Sequence, residues 1–184
     1  HLTIPGDNPA ARYAHSAAAI GQGKLLIFGG IGGGSVMLGD TWVYDSGANS
    51  WVKINYSVSP SSRQYSAMQY CGQDGKAYLF GGLGGPGLFN DLWKYDSGTW
   101  SLVEGAGRSP TPRYGCGMAY DPASGGIIVF GGKVSGGFLD DTWIFNPGSG
   151  TWQEQPAQTD RPSPRWNFTF SYLPDAGYCL LFGG

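Results

Sequence analysis

Four apolar runs, each closed by two glycines, set the pattern of this chain: Leu25-Leu26-Ile27-Phe28-Gly29-Gly30, Ala77-Tyr78-Leu79-Phe80-Gly81-Gly82, Ile127-Ile128-Val129-Phe130-Gly131-Gly132 and Cys179-Leu180-Leu181-Phe182-Gly183-Gly184. Their phenylalanines lie 52, 50 and 52 positions apart, which marks an internal repeat. Each run has the length of a strand and falls short of a helix of ten or more residues. Apolar residues at consecutive positions demand that both faces be covered, as in a middle strand packed between two neighbouring sheets. The glycines are expected to end the strand, because glycine accepts positive φ and lets another backbone come close.

The segments between these runs repeat in the same order. A Pro-x-x-Arg step occurs at Pro9 to Arg12, Pro60 to Arg63, Pro110 to Arg113 and Pro162 to Arg165. Proline fixes φ and lacks an N–H, so it marks the loop that feeds a new strand, which the arginine opens. Small and apolar residues such as Ser16-Ala17-Ala18-Ala19-Ile20 follow, predicting a crowded inner strand A before the glycine-terminated strand B. Variable loops then run from Ile31 to Gly39, Leu83 to Asn90 and Lys133 to Asp140, and each leads to an Asp two residues before a Trp: Asp40-Thr41-Trp42, Asp91-Leu92-Trp93 and Asp141-Thr142-Trp143. Strand C closes on Tyr44-Asp45, Tyr95-Asp96 and Phe145-Asn146, where Asp or Asn starts a turn by bonding its own backbone. Strand D begins at Trp51, Trp100 and Trp152. The prediction is an all-β chain with four antiparallel strands in every ~50 residues, joined by short hairpins.

These copies cover about residues 5-55, 56-104, 105-155 and, incompletely, 156-184, within one region spanning 1-184. His1-Leu2-Thr3-Ile4 reads as the remainder of a strand, so the repeat is expected to be cut at both ends. One such sheet cannot bury both its faces, and neighbouring copies must stack. The paired tryptophans of strands C and D are expected to supply much of the contact, since a buried aromatic covers ~150 to 250 Å².

Composition narrows the function classes. Glycine (33) and proline (12) are abundant, but 15% aromatic content argues for a packed structure. Only 13% of residues are charged and the formal net charge is -2, which gives no support to nucleic acid or anionic lipid as a partner. No apolar run reaches the ~18 residues of a membrane span. Cys71, Cys116 and Cys179 occupy three different repeat positions without metal-ligand spacing, and reduced, buried thiols are the expected state.

The Pro-x-x-Arg, Phe-Gly-Gly, Asp-x-Trp and final Trp elements together resemble the kelch repeat, as three full copies and half of a fourth. The resemblance implies a kelch-type β-propeller of four-stranded blades. Closed kelch rings usually carry six or seven blades, so further blades of the same chain or additional chains would complete the ring. It also implies a non-enzymatic scaffold that binds a protein or peptide partner through loops at one face, without a cofactor. Arg12, Arg63, Arg113 and Arg165 either form a cationic rim at the ring mouth or bond loop carbonyls between blades, since the guanidinium offers five donors in a rigid fork. Their followers differ, as Tyr13, Gln64, Tyr114 and Trp166, and variation at one place on a scaffold is where recognition is sought. Trp166 is the one tryptophan of seven that strands C and D do not explain, an anchor for a peptide or a sugar ring, or a loop cap. Ile31, Leu83 and Lys133, directly after the glycine pairs, begin loops that kelch relatives use for binding.

Other readings have less in the sequence behind them. A carbohydrate-binding or structural extracellular module draws on the low charge and on two acceptor sequons, Asn55-Tyr56-Ser57 and Asn167-Phe168-Thr169, which lean toward a secreted protein with a cytoplasmic scaffold as the alternative. Asn167 is placed by the repeat in an inner strand and is the poorer acceptor. A galactose-oxidase-like copper enzyme would need two His ligands, two Tyr and a Cys linked to Tyr, and this chain has only His1 and His15. His15 reads as a core or channel-wall residue, and Glu104 and Glu154 fall in the outer strand D, away from any paired-carboxylate site.

Overall fold

The computed structural model describes residue 4, residues 6–105 and residues 107–184. The expected strand remnant at His1-Leu2-Thr3 and the turn proline Pro5 lie outside the described residues. Strands β1 (Ser16–Ala19), β2 (Lys24–Ile31), β3 (Met37–Asp45) and β4 (Ser50–Ile54) pair in sequence order as the first sheet. Next come β5 (Arg63–Gln64), β6 (Ala67–Cys71), β7 (Lys76–Phe80), β8 (Leu83–Gly84), β9 (Gly87–Leu88), β10 (Leu92–Asp96) and β11 (Thr99–Leu102). Of these β6, β7, β10 and β11 form the second sheet, and β5, β8 and β9 a small ribbon. The third sheet is β12 (Gly117–Asp121), β13 (Gly126–Val134), β14 (Gly137–Asn146) and β15 (Thr151–Glu154), and β16 (Thr169–Leu173) pairs with β17 (Tyr178–Phe182) as the first half of a fourth.

The sheets bury each other, as the consecutive apolar pattern requires. Ala77 and Leu79 of β7 pack with Leu26 and Phe28 of the first sheet, while Tyr78 and Phe80 of the same strand pack with Ile127, Val129 and Phe145 of the third. The two tryptophans of each sheet do different work. The strand D residue reaches back to the preceding sheet: Trp100 is fully buried, stands edge-on to Phe28 at 5.5 Å and donates its indole N–H to Thr41 Oγ1 at 2.9 Å. Trp152 meets Phe80 at 5.3 Å in a tilted contact. The strand C residue instead donates to the Asp two positions before it in its own sheet, as Trp42 does to Asp40 at 2.7 Å.

Two expectations need correction. The glycine pair does not end the strand in the first and third sheets, where β2 and β13 run through it with a register shift between Phe28 and Gly30 and between Phe130 and Gly132. A bulge of this kind bends the strand while pairing continues beyond it. The reason for glycine is the approaching backbone of the next sheet: at Gly29, φ is 67° and a Cβ would stand 2.6 Å from the Arg63 carbonyl oxygen. In consequence the segments after the glycines are hairpin arms more than loops, paired as far as Ile31 with Met37 and Val134 with Gly137. The turns between strands C and D follow the sequence closely. Asp45 accepts the Gly47 and Ala48 amides and Asn146 those of Gly148 and Ser149, whereas the shorter turn of the second sheet uses Ser97 and Gly98 at φ 47° and 93°, the demand of a two-residue hairpin.

Candidate binding face

The four arginines are the fixed points from which the mouth is built. Arg63 donates Nε to Ser61 O at 3.0 Å, Nη1 to Gly81 O at 2.9 Å, and a fork to Asp91 at 2.5 and 2.8 Å. Arg12 repeats the arrangement with Ala10, Gly29 and Asp40, and Arg113 with Thr111, Gly131 and Asp141. Arg165 makes the two carbonyl bonds of the pattern, to Ser163 and Gly183. These bonds lie within each sheet, not between sheets, and the Arg63 and Arg113 side chains are wholly buried. Burial opposes ionisation of Asp40 and Asp141, yet the hydrogen bonds from the guanidinium outweigh it and hold both carboxyls below their usual range. The Asp partner is what residue-by-residue reading missed, although a constant 28-residue offset (12 to 40, 63 to 91, 113 to 141) was there to find it.

Two residues after each arginine the backbone turns left-handed, at Ala14 (φ 54°), Tyr65 (52°), Gly115 (63°) and Asn167 (55°). That conformation costs a residue with a Cβ roughly 1–2 kcal/mol. Its return is a chain of backbone bonds from sheet to sheet, Tyr65 N–H to Ala14 O, Gly115 N–H to Tyr65 O and Asn167 N–H to Gly115 O, each 2.8 Å. Asn167 is therefore exposed in this turn and not in the inner strand expected for it.

This turn brings the sequence candidates together in backbone-paired couples: Tyr13 with Ile31, Gln64 with Leu83 and Tyr114 with Lys133. Tyr13 is exposed, Gln64, Leu83 and Tyr114 are half-buried, and Ile31 is nearly covered. Trp166 sits 5.5 Å from Tyr114 and 5.7 Å from Tyr65, and Tyr65 is 6.0 Å from Tyr114, ring centre to ring centre. Tyr65 was not singled out in the sequence, since it stands two places after the arginine instead of one. The Lys133 ammonium lies over this cluster, 5.1 Å from the Trp166 ring, 5.9 Å from Tyr114 and 5.6 Å from Phe138, and among the described residues it has no carboxylate partner.

The remaining candidates are more scattered. His15 is exposed and lines, with Tyr13, Tyr65 and Cys116, an open recess of about 370 Å³. Partial desolvation of its ring by the surrounding wall and the charge of Arg12 lower its pKa. Asn55 is exposed directly after β4. Cys71, Cys116 and Cys179 are unpaired, the first two buried, and burial pushes the Cys116 thiol up to about 12. Among the described residues no three His, Cys, Asp or Glu side chains converge as metal ligands.

A family model described as the KLHDC2/KLHL20/DRC7 Kelch-repeats domain matches residues 1–184. An F-box/kelch-repeat protein of Arabidopsis thaliana is 34% identical over 93 residues, covering 48% of this chain and 19% of the relative. Adagio-like protein 1 of Oryza sativa subsp. japonica is 32% identical over 110 residues (56% and 17%), and Kelch domain-containing protein 1 of Mus musculus 28% identical over 109 (55% and 26%). The matched stretch is thus about a quarter or less of each relative's length. Kelch-repeat domains are commonly protein-interaction modules and generally non-enzymatic. With the whole chain matched and each full repeat folded as a four-stranded antiparallel sheet, this protein belongs to the kelch-repeat family, and its sheets are blades of a kelch β-propeller.

Proposed function

We propose that these blades form a non-enzymatic interaction module whose partner, a protein segment, lies over the mouth formed by Tyr13, Gln64, Tyr65, Tyr114 and Trp166, with Ile31, Leu83 and Lys133 at its sides. The observation that carries this reading is the convergence of three aromatic rings from successive repeats beside a cation without a carboxylate partner among the described residues. Half-buried aromatics on a rigid scaffold are the usual anchors of protein interfaces. The buried arginines hold the turn that presents them, so their contribution is positional. Once a partner is identified by affinity purification and its affinity measured by calorimetry, Trp166→Ala and Tyr114→Ala are each expected to weaken binding by about tenfold or more, the scale of an interface anchor. Unchanged affinity in both variants refutes the site.

The carbohydrate reading keeps the exposed sequons at Asn55 and Asn167 in its favour, which suit an extracellular protein. A glycan array separates it from the protein-binding reading, and a mass shift on enzymatic removal of N-glycans tests Asn55 and Asn167 as acceptors. The copper-oxidase reading is tested by metal analysis of the purified protein.

A further inference from the structure

The repeats differ in how they fill one slot at the rim. In blade one Tyr56, five residues after Trp51, turns its ring inward: its hydroxyl donates to Gly39 O at 2.7 Å and accepts from Thr41 Oγ1 at 3.0 Å. Burial raises its pKa. The equivalent of Tyr56 in blade two is Gly105, five residues after Trp100. Pairing confirms the equivalence, because Ile54 opposes Thr41 as Val103 bonds Leu92, the next residue before each Asp-x-Trp tryptophan.

Without a side chain at 105 the slot stands open among the described residues. It has a volume of about 240 Å³ and is walled by Leu92, Leu102, Val103 and Trp152, with Asn90 and Arg108 at its edge. That volume lies below the ~300–1,000 Å³ of small-molecule pockets and suits one side chain. One polar group matches a phenol as well. Asn90, whose carbonyl is equivalent to that of Gly39, lines the slot as an acceptor. The Trp152 indole N–H corresponds to the Trp100 N–H that bonds Thr41, but Leu92 replaces the threonine and leaves this donor without a partner among the described residues. In blade one Thr41 Oγ1 stands between the Trp100 N–H and the Tyr56 hydroxyl, so a tyrosine seated the same way beside Leu92 keeps the bond to the carbonyl, here that of Asn90, and makes none to the Trp152 N–H. Antiparallel order puts the start of β10 and the end of β11 at the end of the blade that carries the mouth, so a segment crossing the mouth can reach the slot.

We propose that the slot between blades two and three is a binding site for a tyrosine side chain of a partner segment, seated as Tyr56 is seated in blade one. The probe is N-acetyl-tyrosinamide, titrated into ¹⁵N-labelled protein while the amides of Leu92 and Val103 and the indole N–H of Trp152 are followed by NMR. Saturable shifts at these three groups are expected, with N-acetyl-phenylalaninamide binding about fivefold more weakly, the change made by one net hydrogen bond. Gly105→Tyr fills the slot from within and abolishes the shifts. Gly105→Ala retains them, since a Cβ there meets nothing closer than Gly150 O at 3.7 Å. Should Gly105→Tyr fail to fold, wild type and Gly105→Ala still decide. Absence of shifts in wild type, equal binding of the phenylalanine probe, or shifts that survive in folded Gly105→Tyr would overturn the proposal. Trp166→Ala leaves the shifts in place, which separates this site from the mouth.

Discussion

Replacing Asp91 by alanine tests the arginine scaffold directly. The substitution removes the carboxylate that takes two guanidinium bonds from Arg63, at 2.5 and 2.8 Å, and the Trp93 indole N–H at 2.7 Å. Arg63 has no exposed side-chain surface, and its remaining bonds to Ser61 and Gly81 carbonyls carry no negative charge. Leaving a buried charge uncompensated costs about 3–5 kcal/mol, and the orphaned indole adds about 1 kcal/mol. Against the ~5–15 kcal/mol stability of a typical domain, that brings the fold near its threshold. Urea denaturation followed by tryptophan fluorescence reads the loss as a lower midpoint at unchanged slope. Asp96→Ala serves as control: its carboxylate is half exposed, 3.9 Å from Lys76 and, among the described residues, bonded only by the exposed Ser97 hydroxyl, so its loss costs about 1 kcal/mol or less. The double change Arg63→Met with Asp91→Leu is expected to recover only the part of the deficit due to the unpaired charge, because the Trp93 N–H and the Ser61 and Gly81 carbonyls still lose their partners. A loss below about 1 kcal/mol in Asp91→Ala would refute the claim that this pair holds the mouth turn.

Three further outcomes follow from the same structure. Gly81→Ala, at φ 66° with a Cβ 2.6 Å from Arg113 O, should lower stability by about 2 kcal/mol or more, while Gly136→Ala, facing open space, should stay within ~0.5 kcal/mol; equal effects in urea denaturation would contradict the close approach. With burial pushing the Cys116 thiol up to about 12, its thiolate is scarce at pH 8, so iodoacetamide should leave Cys116 and buried Cys71 unmodified in the native protein and label all three cysteines in urea, read by mass spectrometry. Asp40 and Asp141 have folded pKa values below the unfolded ~3.9, so their contribution is complete above that value and lost as pH falls through the folded ones; the urea midpoint should drop below about pH 4, and less steeply in Asp141→Asn.

Much of the architecture was open to reading because it depends on alternation and period. Consecutive apolar residues before each glycine pair announced a strand covered on both faces, and Ala77 to Phe80 do alternate between the first and third blades. Asp45 and Asn146 announced their own turns. What stayed hidden were the contacts between unlike repeat positions. Periodicity shows that Arg12, Arg63 and Arg113 are equivalent to one another, and that Asp40, Asp91 and Asp141 are; it does not show that one set meets the other. The bulge was hidden for a related reason, since a glycine pair is compatible with a strand end and with a strand that continues, and only the carbonyl arriving from the next blade decides between them.

Repetition also separates what holds the propeller from what it presents. The Arg–Asp fork recurs in three blades with the same donors, the same acceptors and the same offset, so its energy fixes the backbone and leaves nothing to distinguish one blade from the next. Recognition has to come from places where equivalent positions carry unlike side chains on that shared backbone. The residue after the arginine varies from Tyr13 to Gln64 to Tyr114 to Trp166, and the slot residue from Tyr56 to Gly105 to Ala157. At the first position the variation builds an aromatic cluster, and at the second it empties a recess that a sister blade fills with its own tyrosine. On the proposed reading, a partner meets the aromatic cluster and the slot at the same end of the blades, each set by a departure from the repeat.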